Sequence, residues 1–230
     1  MNVLGLKVER RDFIVAGAMA ALLAGLPLSS KAQQAAAAAP GAAGKRGAVI
    51  LVVGDSLSAE YGLKRGEGWV SLLEKRMADQ RIAASVVNAS ISGDTTSGGR
   101  SRLPALLAQH KPTHVILELG GNDALRGLPL KSTEDNLNQM TRAAQAAGAK
   151  VLLVGMQVPP NYGGDYTRKF EALFQSVAAA NKAALVPFLL KGVADAQEAP
   201  ALFQADRIHP AAVAQPRMLD NVWPELKKLL

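Results

Sequence analysis

The chain has 230 residues, 49% of them hydrophobic, and a formal net charge of +7 from 26 basic and 19 acidic side chains, enough chain for one domain with a full core. It contains no cysteine, which excludes disulfides, thiolate catalysis and cysteine-ligated metal, and its three histidines are too few for a histidine-rich metal centre. The basic residues are scattered among acidic ones without an aromatic-interleaved stripe, so they read as solvated surface: no nucleic-acid groove is expected, and at most a weak attraction to anionic membrane surfaces.

The first segment reads as an address and not as fold. Lys7 to Arg11 make a basic start, residues 13–28 form an uncharged apolar run of 16, and Ser30-Lys31-Ala32 sets small residues at positions −3 and −1 of a cleavage site. Spanning a bilayer core takes about 20 apolar residues, so a permanent transmembrane helix fits less well than an export signal over 1–32. Arg10-Arg11-Asp12-Phe13-Ile14 resembles the twin-arginine export motif, and Lys31 after the apolar run suits that route. The alternative is the basic start of a general secretory signal; either way the expected destination is the periplasm or beyond. Loss of residues 1–32 removes four basic and two acidic side chains and takes the net charge from +7 to +5. Residues 33–46, QQAAAAAPGAAGKR, lack hydrophobic periodicity and read as an Ala/Gly-rich linker, leaving 47–230 as the folded body.

Within the body, short β-branched apolar runs at 48–53, 84–88, 114–119, 151–156 and 184–187 alternate with helical spacing at 69–79, 99–110, 133–147, 167–182 and 210–230. Lys111-Pro112 and Gly148 supply stops after the second and third helices. The pattern predicts the α/β class: a three-layer α/β/α sandwich around a five-stranded parallel sheet, flavodoxin-like in outline. Ligands of such folds bind outside the carboxyl ends of the strands. Those ends carry Gly54-Asp55-Ser56, Ser90-Ile91-Ser92-Gly93-Asp94, Gly120-Gly121-Asn122-Asp123, Gln157 through Gly163, and Asp206-Arg207-Ile208-His209-Pro210.

Acyl transfer needs a hydroxyl nucleophile, a base, an acid that orients the base, and donors aimed at the developing oxyanion. Ser56, at a strand-to-helix turn, suits the first role, and its own N–H at a helix N-terminus suits the last; alone, Asp55 or Ser56 reads equally as a helix cap. His110 ends a helix and His114 opens the third strand at the opposite edge of the sheet, which leaves His209 as the histidine on the right edge. Asp206, three residues earlier, can fold back to accept from its Nδ1–H; the competing role is capping a helix begun by Pro210. The Asn122 amide and a backbone N–H at Gly93 complete a donor set, although Asn-Asp after Gly-Gly is also ordinary turn chemistry.

Gly54-Asp55-Ser56-Leu57-Ser58, Ser92-Gly93-Asp94-Thr95, Gly120-Gly121-Asn122-Asp123 and Asp206-Arg207-Ile208-His209-Pro210 resemble, in order, blocks I, II, III and V of the GDSL/SGNH hydrolases. The wording of the second and third blocks is similar to the periplasmic thioesterase, lysophospholipase and arylesterase subgroup. The resemblance covers 47–230 and implies Ser56 as nucleophile, Asp206 and His209 as its partners, and an oxyanion hole from the N–H groups of Ser56 and Gly93 with the Asn122 amide. It also implies that the segment from Asn122 to about Leu130 moves to close on an acyl chain. Asp55, Leu57, Asp123, Leu125, Pro159 and Tyr162 are the residues expected to bind substrate. Two positions depart from the family: Glu60 stands where a small residue is usual and would put a charge near the cleft mouth, and Arg207 replaces the usual Gly.

The expectation is therefore a serine hydrolase of carboxylic esters or thioesters, acting as a monomer on small-molecule substrates, with no metal or organic cofactor. A deacetylase of O-acetyl glycans is the rival within enzymes. A non-catalytic flavodoxin-like ligand module is the rival outside them, and it is disfavoured because Gly-Asp-Ser, and no G-x-G-x-x-G turn, follows the first strand.

Overall fold

Five apolar strands form one wholly parallel sheet: β1 (Ala48–Gly54), β2 (Ala84–Asn88), β3 (His114–Glu118), β4 (Lys150–Val154) and β5 (Ala184–Val186), in the spatial order β2-β1-β3-β4-β5. This architecture comes from a computed structural model that describes residues 47–230; the expected export signal and linker lie outside the described residues. Parallel strands need crossover connections, and here helices supply them on both faces. Alternate strand residues therefore enter opposite cores. Leu51, Val53, Val115, Leu117, Val151 and Leu153 face one cluster, while Ile50, Val52, Ile116, Leu152 and Val154 face the other.

The first face is covered by α2 (Thr96–His110), α4 (Leu130–Ala146) and α5 (Gly164–Asn181), which contribute Leu103, Leu137, Met140, Phe170 and Phe174. The second is covered by α1 (Trp69–Asp79) and α7 (Gln215–Leu229), through Trp69, Leu73, Met77, Met218 and Leu226. Two short helices, α3 (Gly121–Leu125) and α6 (Ala199–Leu202), sit in loops where the periodicity is too brief to announce them. The chain passes from β1 to β2 on one side and then returns across it to β3, so the connections from the neighbouring strands β1 and β3 diverge. A crevice opens at that point, beyond the strands' carboxyl ends.

Several boundaries differ from the sequence pattern, α4 and α5 among them, each starting three residues earlier than its pattern, and two of the differences have clear local reasons. α2 begins at Thr96 and not at 99, because Thr95 caps it, its hydroxyl accepting from the Gly98 N–H at 3.3 Å. Gly98 and Gly99, poor helix formers, hide that first turn from a propensity reading. Gly99 is required by packing: a Cβ there would come within 2.3 Å of the Leu119 side chain. The last helix begins at Gln215 and not at 210. Pro210 is instead paired antiparallel with Phe203, closing a turn over 203–210 with Gln204 N–H donating to His209 O and Ala211 N–H to Leu202 O, both at 2.8 Å. The idea that Asp206 caps a helix begun by Pro210 is thereby corrected.

Candidate active site

The closed turn over 203–210 carries Asp206 and His209 back to the end of β1. Asp206 Oδ1 accepts the N–H of Ile208 at 2.9 Å and of His209 at 3.0 Å, and Oδ2 meets His209 Nδ1 at 2.6 Å. The His209 backbone N–H, then its ring, then the Ile208 N–H draw the Asp206 carboxyl down to about 2, so it is ionised at neutral pH. An ionised carboxylate only accepts, which assigns the proton to Nδ1 and leaves Nε2 as an acceptor. Ser56 Oγ lies 2.9 Å from that Nε2. The Tyr61 ring packs on the imidazole with centroids 4.4 Å apart, and the Tyr61 carbonyl accepts from Gln204 Nε2 at 2.8 Å, which ties this loop to the 203–210 turn.

Ser56 opens a run of turns over 56–62, while the first regular helix begins only at Trp69. Its N–H is thus not at the end of a helix of the expected kind; the turn is local, with Ala59 N–H donating to Asp55 O at 2.9 Å. Gly93 has φ 79°, a left-handed conformation that suits glycine, and its carbonyl accepts from Arg126 Nη2 at 2.8 Å. Among the described residues the N–H groups of Ser56 and Gly93 have no acceptor. Asn122, inside α3, donates one amide N–H to Asp55 Oδ2 at 3.0 Å.

Asp55 and Asp123, expected against substrate, are 3% and 1% exposed, and their carboxylates are engaged within the protein. Asp55 takes the Leu57 N–H on Oδ1 at 3.0 Å and Asn122 on Oδ2. Burial pushes its carboxyl up to about 6, against those two hydrogen bonds. Asp123 accepts the Thr96 N–H at 2.8 Å, the Thr96 hydroxyl at 2.5 Å and the Thr133 hydroxyl at 3.3 Å, stitching α2, α3 and α4 together. Both expectations are corrected: these carboxylates hold the site's frame. Leu57 is partly buried and packs against the core on the α1 and α7 side. Leu125 and Pro159 do line a cavity of about 790 Å³, with Met156, Val158, Phe203 and Ile208 among its other walls. Tyr162 stands outside that cavity, stacked toward Tyr166 at 6.4 Å.

Sequence reasoning did not single out Arg102, whose Nε pairs with Asp94 at 2.8 Å and whose guanidinium also donates to Ala89 O, pinning the exit of β2. It also passed over Glu118, although a charged residue closing the apolar run HVILE was a legible signal.

A family model described as the GDSL-like Lipase/Acylhydrolase family matches residues 52–215. Esterase TesA of Pseudomonas aeruginosa is 57% identical over 181 residues, 79% of this chain and 89% of that protein. Thioesterase 1/protease 1/lysophospholipase L1 of Escherichia coli K12 is 41% identical over 181 residues, 79% of this chain and 84% of that one. A crystal structure of TesA superposes with a TM-score of 0.76 at 56% identity, covering 79% of this chain and 99% of its own.

The chain belongs to the GDSL-like lipase/acylhydrolase family. It is an ester hydrolase of that family, and the matched stretch 52–215 contains Ser56, Gly93, Asn122, Asp206 and His209. The two positions expected to depart from the family pattern share one backbone geometry. Glu60 and Arg207 both have left-handed backbones, φ 59° and 58°. The Glu60 carboxylate does not reach the cleft mouth: it turns back to accept from the N–H groups of Gly66 and Gly68 and from the Ser71 hydroxyl at 3.1, 3.0 and 2.8 Å. Burial opposes the charge there, but Ser71, Gly68 and Gly66 together hold the carboxyl below its ordinary range. Arg207 lines the 790 Å³ cavity.

Proposed function

We propose that this enzyme cleaves carboxylic esters and thioesters through an acyl intermediate on Ser56. The observation that carries the reading is the continuous line Ser56 Oγ, His209 Nε2, His209 Nδ1, Asp206 Oδ2, with contacts of 2.9 and 2.6 Å. Ser56 Oγ attacks the acyl carbon as its proton passes to Nε2, and Asp206 stabilises the imidazolium that forms. The oxyanion accepts from the N–H groups of Ser56 and Gly93 and from the second N–H of the Asn122 amide. Collapse expels the alcohol or thiol, which takes the proton from His209. Water, deprotonated by the same imidazole, then releases the acid and restores Ser56.

The acyl chain occupies the 790 Å³ cavity, whose walls are largely apolar. That supports alkyl and aryl esters, acyl-CoA-like thioesters and lysophospholipids over O-acetyl glycans, whose two-carbon acyl group would leave the cavity largely unfilled. The protein acts as a monomer after export and removal of residues 1–32, with at most weak contact to a membrane surface.

Purified residues 33–230, assayed on p-nitrophenyl esters from acetyl to palmitoyl and on acyl-CoA thioesters, are expected to prefer acyl groups longer than acetyl; an acetyl-only profile would move the reading to glycan deacetylation. Ser56→Ala and His209→Ala should each lower kcat by about 10⁴ to 10⁶, with the double variant little worse than either. A serine-directed organophosphonate should add to Ser56 by peptide mapping. Folded Ser56→Ala with near-wild-type turnover, or labelling of Ser58, would remove the nucleophile assignment.

A further inference from the structure

Glu118 ends β3 directly opposite Gly54 of β1 in the parallel register. Its side chain is 3% exposed, and it has no place in the line from Ser56 to Asp206. Oε2 accepts the Ser58 hydroxyl at 2.7 Å and, more weakly, the Asp55 N–H at 3.4 Å, so it grips the turn on both sides of Ser56. The fit is close: a methyl on Gly54 would stand 2.8 Å from both Glu118 Oε2 and Ser58 Oγ. Glycine at 54 is the condition for the carboxyl to lie there.

From Asp55 the connection runs on to Asn122, whose amide donates to Oδ2 at 3.0 Å. A carboxamide is planar, so fixing one N–H fixes the direction of the other. Left without that acceptor, the amide turns about a broad, soft torsion. Two carboxyl groups this close in a buried site do not ionise together. Burial, then the charge of Asp55, drive Glu118 well above the usual carboxylate range, while Asp55 at about 6 is ionised at neutral pH. Glu118 is therefore the neutral partner, and Asp55 carries the charge that holds Asn122.

We propose that Glu118 is a positioning residue for ester hydrolysis: its carboxyl group holds the Asp55-to-Ser58 turn and, through Asp55, aims the second N–H of the Asn122 amide at the oxyanion. The inference rests on the donor role given to Asn122 above. The effect of Glu118 on turnover has to pass through the Asn122 side chain, which a merely structural carboxyl would not require.

The test is a double-mutant cycle on the mature protein with p-nitrophenyl butyrate. Asn122→Ala should lower kcat by about 10² to 10³, and Glu118→Ala by about 10 to 10², both with KM within about threefold of the wild type. In the Asn122→Ala background, Glu118→Ala should cost no more than about another threefold, since the group it aims is already gone. Glu118→Gln should stay within about threefold of wild-type kcat, because glutamine reproduces the shape and acceptor of a neutral acid. Losses that multiply across the cycle, a Glu118→Gln enzyme as slow as Glu118→Ala, or an effect confined to KM would each overturn the proposal. Should Glu118→Ala fail to fold, Ser58→Ala removes one of the two bonds to Glu118 and takes its place in the cycle, with the same expectation and the same refutation. Failure of the Ser56 reading is seen separately, as turnover that survives Ser56→Ala.

Discussion

At the scale of single residues, Glu60 and Arg207 share one backbone conformation and differ in what the side chain does with it. A non-glycine residue at φ 59° or 58° costs about 1 kcal/mol in strain. Glu60 offsets that cost, because its carboxylate accepts from Gly66, Gly68 and Ser71 at the start of α1, whose N-cap residue Gly68 has no side chain to cap with. Arg207 spans a turn whose N–H donates to Gln204 O at 2.9 Å, and its guanidinium has no such task. The two glycine replacements should therefore differ in sign. Glu60→Gly is expected to destabilise by about 1 to 2 kcal/mol through the lost cap, and Arg207→Gly to change stability by between about 0 and +1 kcal/mol as strain relief outweighs glycine's added chain entropy. Urea unfolding of both variants checks this; shifts of one sign and equal size would show that backbone strain alone decides.

At the scale of elements, the ends of β1 and β3 bring two carboxyls together, and this arrangement has a cost that depends on pH. Asp55 titrates near 6 in the folded chain against 3.8 as its ordinary value, so the folded state holds that proton more tightly than the unfolded state does. Stability attached to the protonated form is complete below pH 3.8 and is lost as pH rises through 6. The difference corresponds to about 2 to 3 kcal/mol of destabilisation at neutral pH. Relative to the wild type, Asp55→Asn is accordingly expected to gain about that amount of stability between pH 4 and pH 8, on top of a pH-independent cost for the one acceptor that the amide lacks toward Leu57 or Asn122. Asp206 has the opposite sign: drawn down to about 2, it adds stability that is present above 3.8 and disappears only as pH falls through 2. Asp206→Asn should therefore bring no gain at high pH. Chemical denaturation of the three proteins across pH 4 to 8 (about the range in which most proteins are most stable) tests both signs, and a pH-independent difference for Asp55→Asn would defeat the argument.

At the scale of the whole molecule, export of the chain is expected on grounds separate from its fold. No helix among the described residues is long and apolar enough to cross a membrane. The basic start, apolar run and small-residue site before the body support export followed by cleavage after Ala32. Exported protein is expected to begin at Gln33 by N-terminal sequencing, and recovery of a chain that still begins at Met1 in the cytoplasm would contradict it. Arg10→Lys with Arg11→Lys should block export if the twin-arginine route is used, while unhindered export of that variant would assign the general secretory route.

The order of strands and helices was legible because it is local: a strand buried on both faces must be apolar throughout, as Ile50 to Val53 are, and an amphipathic helix must repeat its apolar positions, as α1 does from Trp69 to Met77. The residue types of the first ordered blocks were legible for the same reason, since Ser56 and Asn122 each sit just after a strand end that the sequence marks, whereas His209 lies well beyond the end of β5. Other features were settled by partners far along the chain. Ser56 meets His209 across 153 positions and Asp55 meets Asn122 across 67, and Pro210 joins Phe203 instead of opening a helix. Asp55 and Asp123 read as substrate ligands on paper because an aspartate beside a cleft is normally solvated. Folding removes the water from both and surrounds them with donors, and whether a carboxylate faces a substrate or holds a frame depends on that burial, which no local pattern of residues encodes.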